Sequence, residues 1–385
     1  MSIVVSKSSP VAVTSPPEPG TAAGGIVNLS SFDKCFAPIP VPLLLIFDQP
    51  IDDPMETIKK AVSQALVHYH PIAGRLVAGA DQELIHISCT GEGVSFVGAS
   101  ASCALEELAT SPLLVGDLTV RYPSTYCRPS DPLLLMQETE FACGGFVVGV
   151  TWNHVVADGA GMAQFLQAVG ELARGMPAPS VIPIRSEVGG SIPCLPPPVV
   201  ARVRSRICFT AEEMASLDVT VPSRLIGCIK AECRGECTAF DTVAAVLWRC
   251  RTRAVVSGPD DTAAPLFFSS NVRGPVGAKR GYYVASGDVK DLVKLIRLAK
   301  QKIADILKNV DGRDGKEKQT AVAWHKYNTL VVTSWRNLGL EAVDFGRGEH
   351  LTSEMGKLHT REPYHGSDNI HTANGEGSGH EGHSS

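Results

Sequence analysis

His154 and Asp158 are the residues whose types and spacing most invite chemistry. They stand in the run His-Val-Val-Ala-Asp-Gly, between an apolar stretch ending at Thr151 and an amphipathic one beginning at Ala160. A strand feeding a loop that opens a helix exposes side chains from a rigid scaffold. With an unperturbed pKa near 6.5, a histidine there is mostly neutral at pH 7 and can take a proton from an alcohol or amine as that group attacks a carbonyl. By spacing alone, a His four residues before an Asp has two readings, a general base or a hydrogen-bonded structural histidine.

Other reactive residue types point to less. Gly159 and Gly161 flank the helix start, but no G-x-G-x-x-G follows a strand, so a dinucleotide fold has little support. The eleven cysteines are an odd number spread from Cys35 to Cys250 without C-x-x-C pairs, which fits neither a disulfide framework nor a zinc ribbon. Cys228, Cys233 and Cys237 lie near one another, and the simplest reading is that the thiols are small, reduced core residues. No metal site is expected.

The elements that must position His154 are legible as periodicities. Ile3–Val5 and Val11–Val13 are β-like, and Leu43–Phe47, Glu83–Ser88, Leu133–Gln137 and Phe146–Thr151 read as strands. Ile58, Ala61, Ala65, Leu66 and Tyr69 recur at helical spacing between Met55 and His70, where Pro71 stops the helix. Met162, Phe165, Leu166, Val169 and Leu172 form one face of a second helix, Ala160–Arg174, stopped by Gly175. Prolines crowd residues 177–200, which predicts a linker. Beyond it, Arg206–Phe209, Ile226–Glu232, Leu266–Ser270 and Thr329–Ser334 read as strands. Thr238 with Asp241 predicts a capped helix with Val243, Val246, Leu247 and Cys250 on one face, and Asp288–Leu307 a further helix.

At 385 residues the chain is too long for one ordinary core, and the α/β mixture in both halves predicts two sheet-and-helix domains. The boundaries expected are 1–176 for the domain carrying His154, 177–205 for the crossover linker, 206–348 for the second domain and 349–385 for a disordered tail. With 44% apolar and 19% charged residues, no apolar run reaches the roughly 18 to 20 residues of a membrane span. The net charge of −5 carries no basic block, so nucleic acid is not an expected partner. With no leader-like start or targeting ending, the cytoplasm is the expected compartment.

A series of longer motifs runs in order: SSPVAVTSP and LSSFDK near the start, YHPIAGRL at 69–76, WNHVVADG at 152–159, CTAFDTVAAVLWR at 237–249, SSNVRG at 269–274, GYY at 281–283 and TSWRNLGLEAVDFGRG at 333–348. Through them the chain resembles the BAHD acyltransferases, plant enzymes that transfer acyl groups from coenzyme A thioesters. PIAGRL and CLPPPVV are most similar to the hydroxycinnamoyl and tryptamine benzoyl transferases of grasses.

That resemblance implies two domains of chloramphenicol acetyltransferase-like topology with a channel between them. Acyl-coenzyme A would be co-substrate, a small alcohol or amine the acceptor, no cofactor would be permanently bound, and the protein would be monomeric. His154 would be the general base, with no covalent acyl-enzyme. Thr333 hydroxyl and Trp335 indole N–H would meet the oxyanion; without the family these read as an edge-strand Thr and a core Trp. Asp158 would be structural, paired with Arg273, so that its loss strands a buried charge at about 3–5 kcal/mol. Gly159 belongs to the same motif, and Asp344 would hold a loop. Arg249, Arg251 and Arg253 would be available to coenzyme A phosphates, or simply solvated.

Three features depart from the family: Arg347 stands where its D-F-G-W-G motif has Trp, one strand is missing after Tyr283, and residues 349–385 hold six of the eleven histidines among Gly, Ser, Glu and Asn. They favour a rival reading, a splice variant or impaired homologue that binds without turnover. A peptide-synthetase condensation-like domain is disfavoured, because Asn153 precedes His154 where such domains show a second His.

Overall fold

The computed structural model describes residues 4–16, 25–37, 39–78, 85–110, 116–183, 197, 200–201, 204, 219–255, 265–268, 282–283, 289–308, 330–346 and 351–353. They fall into two units, Met1–Cys208 with Asn337–Glu362, and Phe209–Arg336 with Pro363–Ser385.

In the first unit the order is β1 (Val5–Lys7), β2 (Val11–Val13), β3 (Ile26–Asn28), α1 (Ser31–Phe36), β4 (Pro40–Phe47), α2 (Pro54–His68), β5 (Arg75–Ala78), β6 (Ile85–Ser88), β7 (Val94–Ala101), β8 (Leu134–Phe141), β9 (Phe146–Asn153) and α3 (Gly159–Ala173). Seven strands make one sheet, in the order β1, β7, β8, β9, β4 and finally a strand from far along the chain, Leu351–Ser353, with β2 also on β7. β7 and β8 run parallel, and the other neighbours are antiparallel. A smaller antiparallel sheet has the order β3, β6, β5.

All eight residues of β9 are buried, as a central strand covered on both faces requires, which explains its nearly continuous apolar run. The faces can be told apart by where side chains would collide. A Cβ on Gly98 of β7 would lie 2.2 Å from Met55 Sδ of α2, whereas one on Gly149 of β9 would lie 2.0 Å from the Leu118 carbonyl oxygen. Helix α2 therefore covers one face and the 116–119 segment the other. Ile58, Val62 and Leu66 of α2 are fully buried, each worth about 1.5–3 kcal/mol of apolar burial. Beside α2 packs α3, whose Met162, Phe165, Leu166 and Val169 are fully buried.

The second unit contains α4 (Ser223–Glu232), α5 (Ala239–Val255), β10 (Pro265–Phe268), β11 (Tyr282–Tyr283), α6 (Val289–Lys308) and β12 (Leu330–Val332). Its sheet has the order β11, β10, β12, with β10 and β12 parallel. Trp248, Leu266, Val293, Ile296 and Leu330 form its core. Helix α5 opens with the box read from the sequence: Asp241 Oδ2 accepts from Thr238 N–H at 2.9 Å, and Thr238 Oγ1 accepts from Asp241 N–H at 3.1 Å.

Three expectations change. Ile226–Glu232 is helix rather than strand: Ile226 and Ile229 are buried three residues apart while Leu225 is exposed, so the isoleucines mark a helical stripe and their β-branching misleads. The boundary of the second domain at 348 does not match the observed division, because the described residues 337–346 and 351–353 group with the first unit. The region expected as a tail from 349 contains β13 (Leu351–Ser353), antiparallel to β4 with Leu351 opposite Ile46. A strand edge offers unpaired N–H and C=O groups to any segment brought beside it, with little demand on that segment's side-chain pattern. The Arg206–Phe209 strand, most of the 177–205 linker, Arg273, Arg347, the stretch after Tyr283 and the rest of 349–385 lie outside the described residues.

Candidate active site

The site begins where β9 ends. Asn153, fully buried, donates its backbone N–H to Leu133 O at 2.9 Å, and its Oδ1 accepts from Val155 N–H at 3.0 Å. Val156 N–H reaches back to Asn153 O at 3.0 Å, closing a turn. Trp152 Nε1–H donates to Ala157 O at 2.9 Å, so the strand's last indole ties down the far side of that turn. Each such bond contributes about 0.5–1.5 kcal/mol, and together they hold residues 154–157 against the end of the sheet.

His154 sits at the first turn position, half-buried. Its backbone N–H donates to Ile39 O at 2.9 Å, one step beyond the pairing of Pro40 with Asn153 in the β4–β9 ladder. The imidazole stacks on the Phe36 ring, centroids 4.7 Å apart and planes 22° from parallel.

Asp158 is exposed and caps α3, with extended backbone (φ −81°, ψ 179°) and Oδ1 accepting from Gly161 N–H at 2.9 Å. A carboxylate at a helix N-terminus satisfies an otherwise orphaned donor and meets the positive end of the helix dipole. Gly159 opens the helix, where a Cβ would lie 2.7 Å from Leu338 Cδ1. Further along, Arg174 pairs with the Asp344 carboxylate at 3.4 Å and also donates to the Asp344 carbonyl, while Asp344 Oδ1 accepts from Gly346 N–H at 2.7 Å. Phe345 stacks edge-on against Phe47, centroids 5.1 Å apart, and near Phe146. Residues 338–345 thus run along α3, the helix that follows the His154 turn.

Thr333 and Trp335 follow β12 in the second unit, Thr333 exposed and Trp335 half-buried. On α5, Arg249 and Arg253 are four residues apart and share a helix face, whereas Arg251, two residues from each, points elsewhere. The expected trio is therefore a pair plus one. Asp241 is buried at the start of the same helix. Burial opposes its ionisation, but a 2.6 Å contact from Lys300 and the Thr238 donors outweigh it and hold the carboxyl below its ordinary range.

Among the described residues no group of His, Cys, Asp and Glu has metal-binding geometry, and no helix is long and apolar enough to cross a membrane. Cys35, Cys89, Cys103, Cys127 and Cys237 are buried and form no disulfide, and burial pushes Cys127 up to about 12. Phe36, Trp152 and the Asn153 amide were not legible as site residues. Trp152 and Asn153 at least adjoin His154, but Phe36 is 118 positions away with no local signal.

Residues 11–281 match the Transferase family. Acyl transferase 15 of Oryza sativa subsp. japonica is 46% identical, over 91% of this chain and 87% of that protein. A myricetin 3-O-glucosyl 1,2-rhamnoside 6'-O-caffeoyltransferase, AT1 of Crocosmia x crocosmiiflora, is 33% identical over 90% and 88%. Among solved structures, vinorine synthase superposes with a TM-score of 0.64 at 18% identity, covering 91% of this chain and 88% of its own. The TRI101 protein of F. sporotrichioides, complexed with coenzyme A and T-2, does so with a TM-score of 0.55 at 14% identity over 86% and 88%. The two structures establish the α/β acyltransferase fold, and the family match with the close plant relatives establishes membership: the chain belongs to the BAHD acyltransferases, whose chemistry is acyl transfer from coenzyme A.

Proposed function

We propose that this protein transfers an aromatic acyl group, hydroxycinnamoyl or benzoyl, from a coenzyme A thioester to a small alcohol or amine, with His154 as general base. The observation that carries this is the placement of His154 on a turn locked at the end of a buried strand, its ring half-exposed and held on one face. A ring nitrogen accepts the acceptor's proton as its oxygen or nitrogen attacks the thioester carbonyl. The tetrahedral intermediate then collapses, the C–S bond breaks, and the imidazolium returns the proton to the coenzyme A thiolate. No covalent acyl-enzyme is required.

Thr333 and Trp335 are assigned to the oxyanion, since fixed donors stabilise charge that develops in the transition state. Arg249 and Arg253, sharing one face of α5, suit coenzyme A phosphates better than Arg251 does. Asp158, with Arg273, and Asp344 are assigned structural roles. The name of the Crocosmia relative, a 6'-O-caffeoyltransferase, favours a hydroxycinnamoyl donor and an oxygen acceptor. The protein is proposed to act as a cytoplasmic monomer. A second reading, an impaired homologue that binds without turnover, is favoured by Arg347 in place of a packed indole.

The test is turnover by the full chain on a panel of aromatic coenzyme A thioesters with pooled alcohols and amines, beside His154→Ala. Loss of a general base is expected to lower kcat by about 10²- to 10⁴-fold. Equal rates in the two proteins would rule His154 out as base, and a folded wild type with no turnover on any pair would favour the impaired homologue.

A further inference from the structure

We propose that Phe36 is the positioning residue of His154, its phenyl ring holding the imidazole plane so that a ring nitrogen stays aligned with the proton it takes. The inference deepens the reading of His154 as general base and rests on it.

Phe36 is delivered by two anchors. Helix α1 is nucleated by a capping box, Ser30 N–H to Asp33 Oδ2 at 3.0 Å and Asp33 N–H to Ser30 Oγ at 3.2 Å, and Phe36 is its last residue. Cys35 and Ala37 on either side are each 2% exposed, so the chain is packed down on both flanks of a side chain that itself remains half-buried. Three residues on, Ile39 O accepts the His154 N–H, and Pro40 is in register with Asn153. The backbones carrying the two rings are therefore tied together at the start of the β4–β9 ladder, and the stacking distance follows from that register.

The geometry suits a base. Rotation of an imidazole about its Cβ–Cγ bond is soft, with broad minima. A flat neighbour 22° from parallel removes that softness, because the turning imidazole would drive an edge into the phenyl face. The lone pair that accepts a proton lies in the imidazole plane, so a partner on the face restrains the ring without covering either nitrogen. An aliphatic side chain of similar size would exclude water equally well but would leave the plane undetermined. A reacting group out of line by a small angle or about 1 Å can lose on the order of 10²-fold in rate, so a weak contact in the right place matters more for turnover than for folding.

The test compares full-length wild type, Phe36→Tyr, Phe36→Leu and His154→Ala, with kcat and KM measured separately, melting temperature, and NMR of protein carrying 13C-labelled histidine, the His154 signal being assigned by its absence in His154→Ala. Phe36→Leu is expected to stay folded and to lose about 10- to 100-fold in kcat with KM for the thioester within about twofold, while Phe36→Tyr stays close to wild type. In Phe36→Leu the His154 Cε1 proton should move downfield as the phenyl ring current is lost, and relaxation of the labelled ring should report greater mobility. A wild-type kcat in Phe36→Leu beside an inactive His154→Ala would overturn the positioning role and leave the base intact. Wild-type turnover in His154→Ala would remove the base and the positioning role together. An imidazole equally rigid in Phe36→Leu and wild type would overturn the proposal whatever the turnover.

Discussion

The carbonyl oxygen of Asp344 lies against Gly170 in the last turns of α3, so close that a Cβ on Gly170 would come within 2.4 Å of it. Replacing a helical glycine by alanine ordinarily stabilises by about 0.5–1 kcal/mol. Here the contact is with backbone, which cannot swing aside, and overpacking of this kind costs about 1–3 kcal/mol. The steric term wins, so Gly170→Ala is expected to destabilise the protein. Urea unfolding reads the sign, and a variant at least as stable as wild type would mean that residues 338–345 do not lie along α3.

Asp158 offers a choice between two magnitudes. Its cap on Gly161 N–H is worth about 0.5–2 kcal/mol, whereas removing one partner of a buried ion pair with Arg273 would cost about 3–5 kcal/mol. Because Asp158 is exposed, the smaller loss is expected for Asp158→Ala, and Asp158→Asn, which retains a capping oxygen, should lose less still. Chemical denaturation of the three proteins decides it, and a loss at the larger value would establish the buried pair.

Glu138 on β8 is 1% exposed, and its Oε1 has no hydrogen-bond partner among the described residues. Burial first, then repulsion from Glu140 and Asp53, pushes its pKa from 4.5 up to about 8. The folded protein therefore holds this proton more tightly than the unfolded chain. The stability it contributes is complete below 4.5 and is lost as pH rises through 8. Glu138→Gln removes the penalty of ionisation, so its advantage over wild type should grow from pH 5 to pH 8, reach about 3 kcal/mol near pH 7 and level off only above pH 8. Melting temperatures across that range check the slope, and parallel curves would place the carboxyl in contact with water or a partner.

Much of the fold was legible because its signals are local. The apolar run Leu43–Phe47 and the stretch Phe146–Thr151 are the cores of β4 and β9, which pair in the central sheet, and Thr238 with Asp241 forms the box that opens α5. The isoleucines of α4 were misread because the same residues serve a strand or a short helical stripe, and only burial on one side distinguishes them.

By itself the sequence determined where His154 and Asp158 stand, at the junction of a buried strand and an amphipathic helix, because hydrophobic period and capping chemistry act over a few residues. Only the tertiary structure decided what touches them. The Phe36 ring on His154, the Leu338 side chain beside Gly159 and the return of residues 337–346 to α3 join positions 118 to 179 residues apart. Such contacts depend on how whole elements pack, and no spacing along the chain encodes that packing in a form a local pattern can reveal.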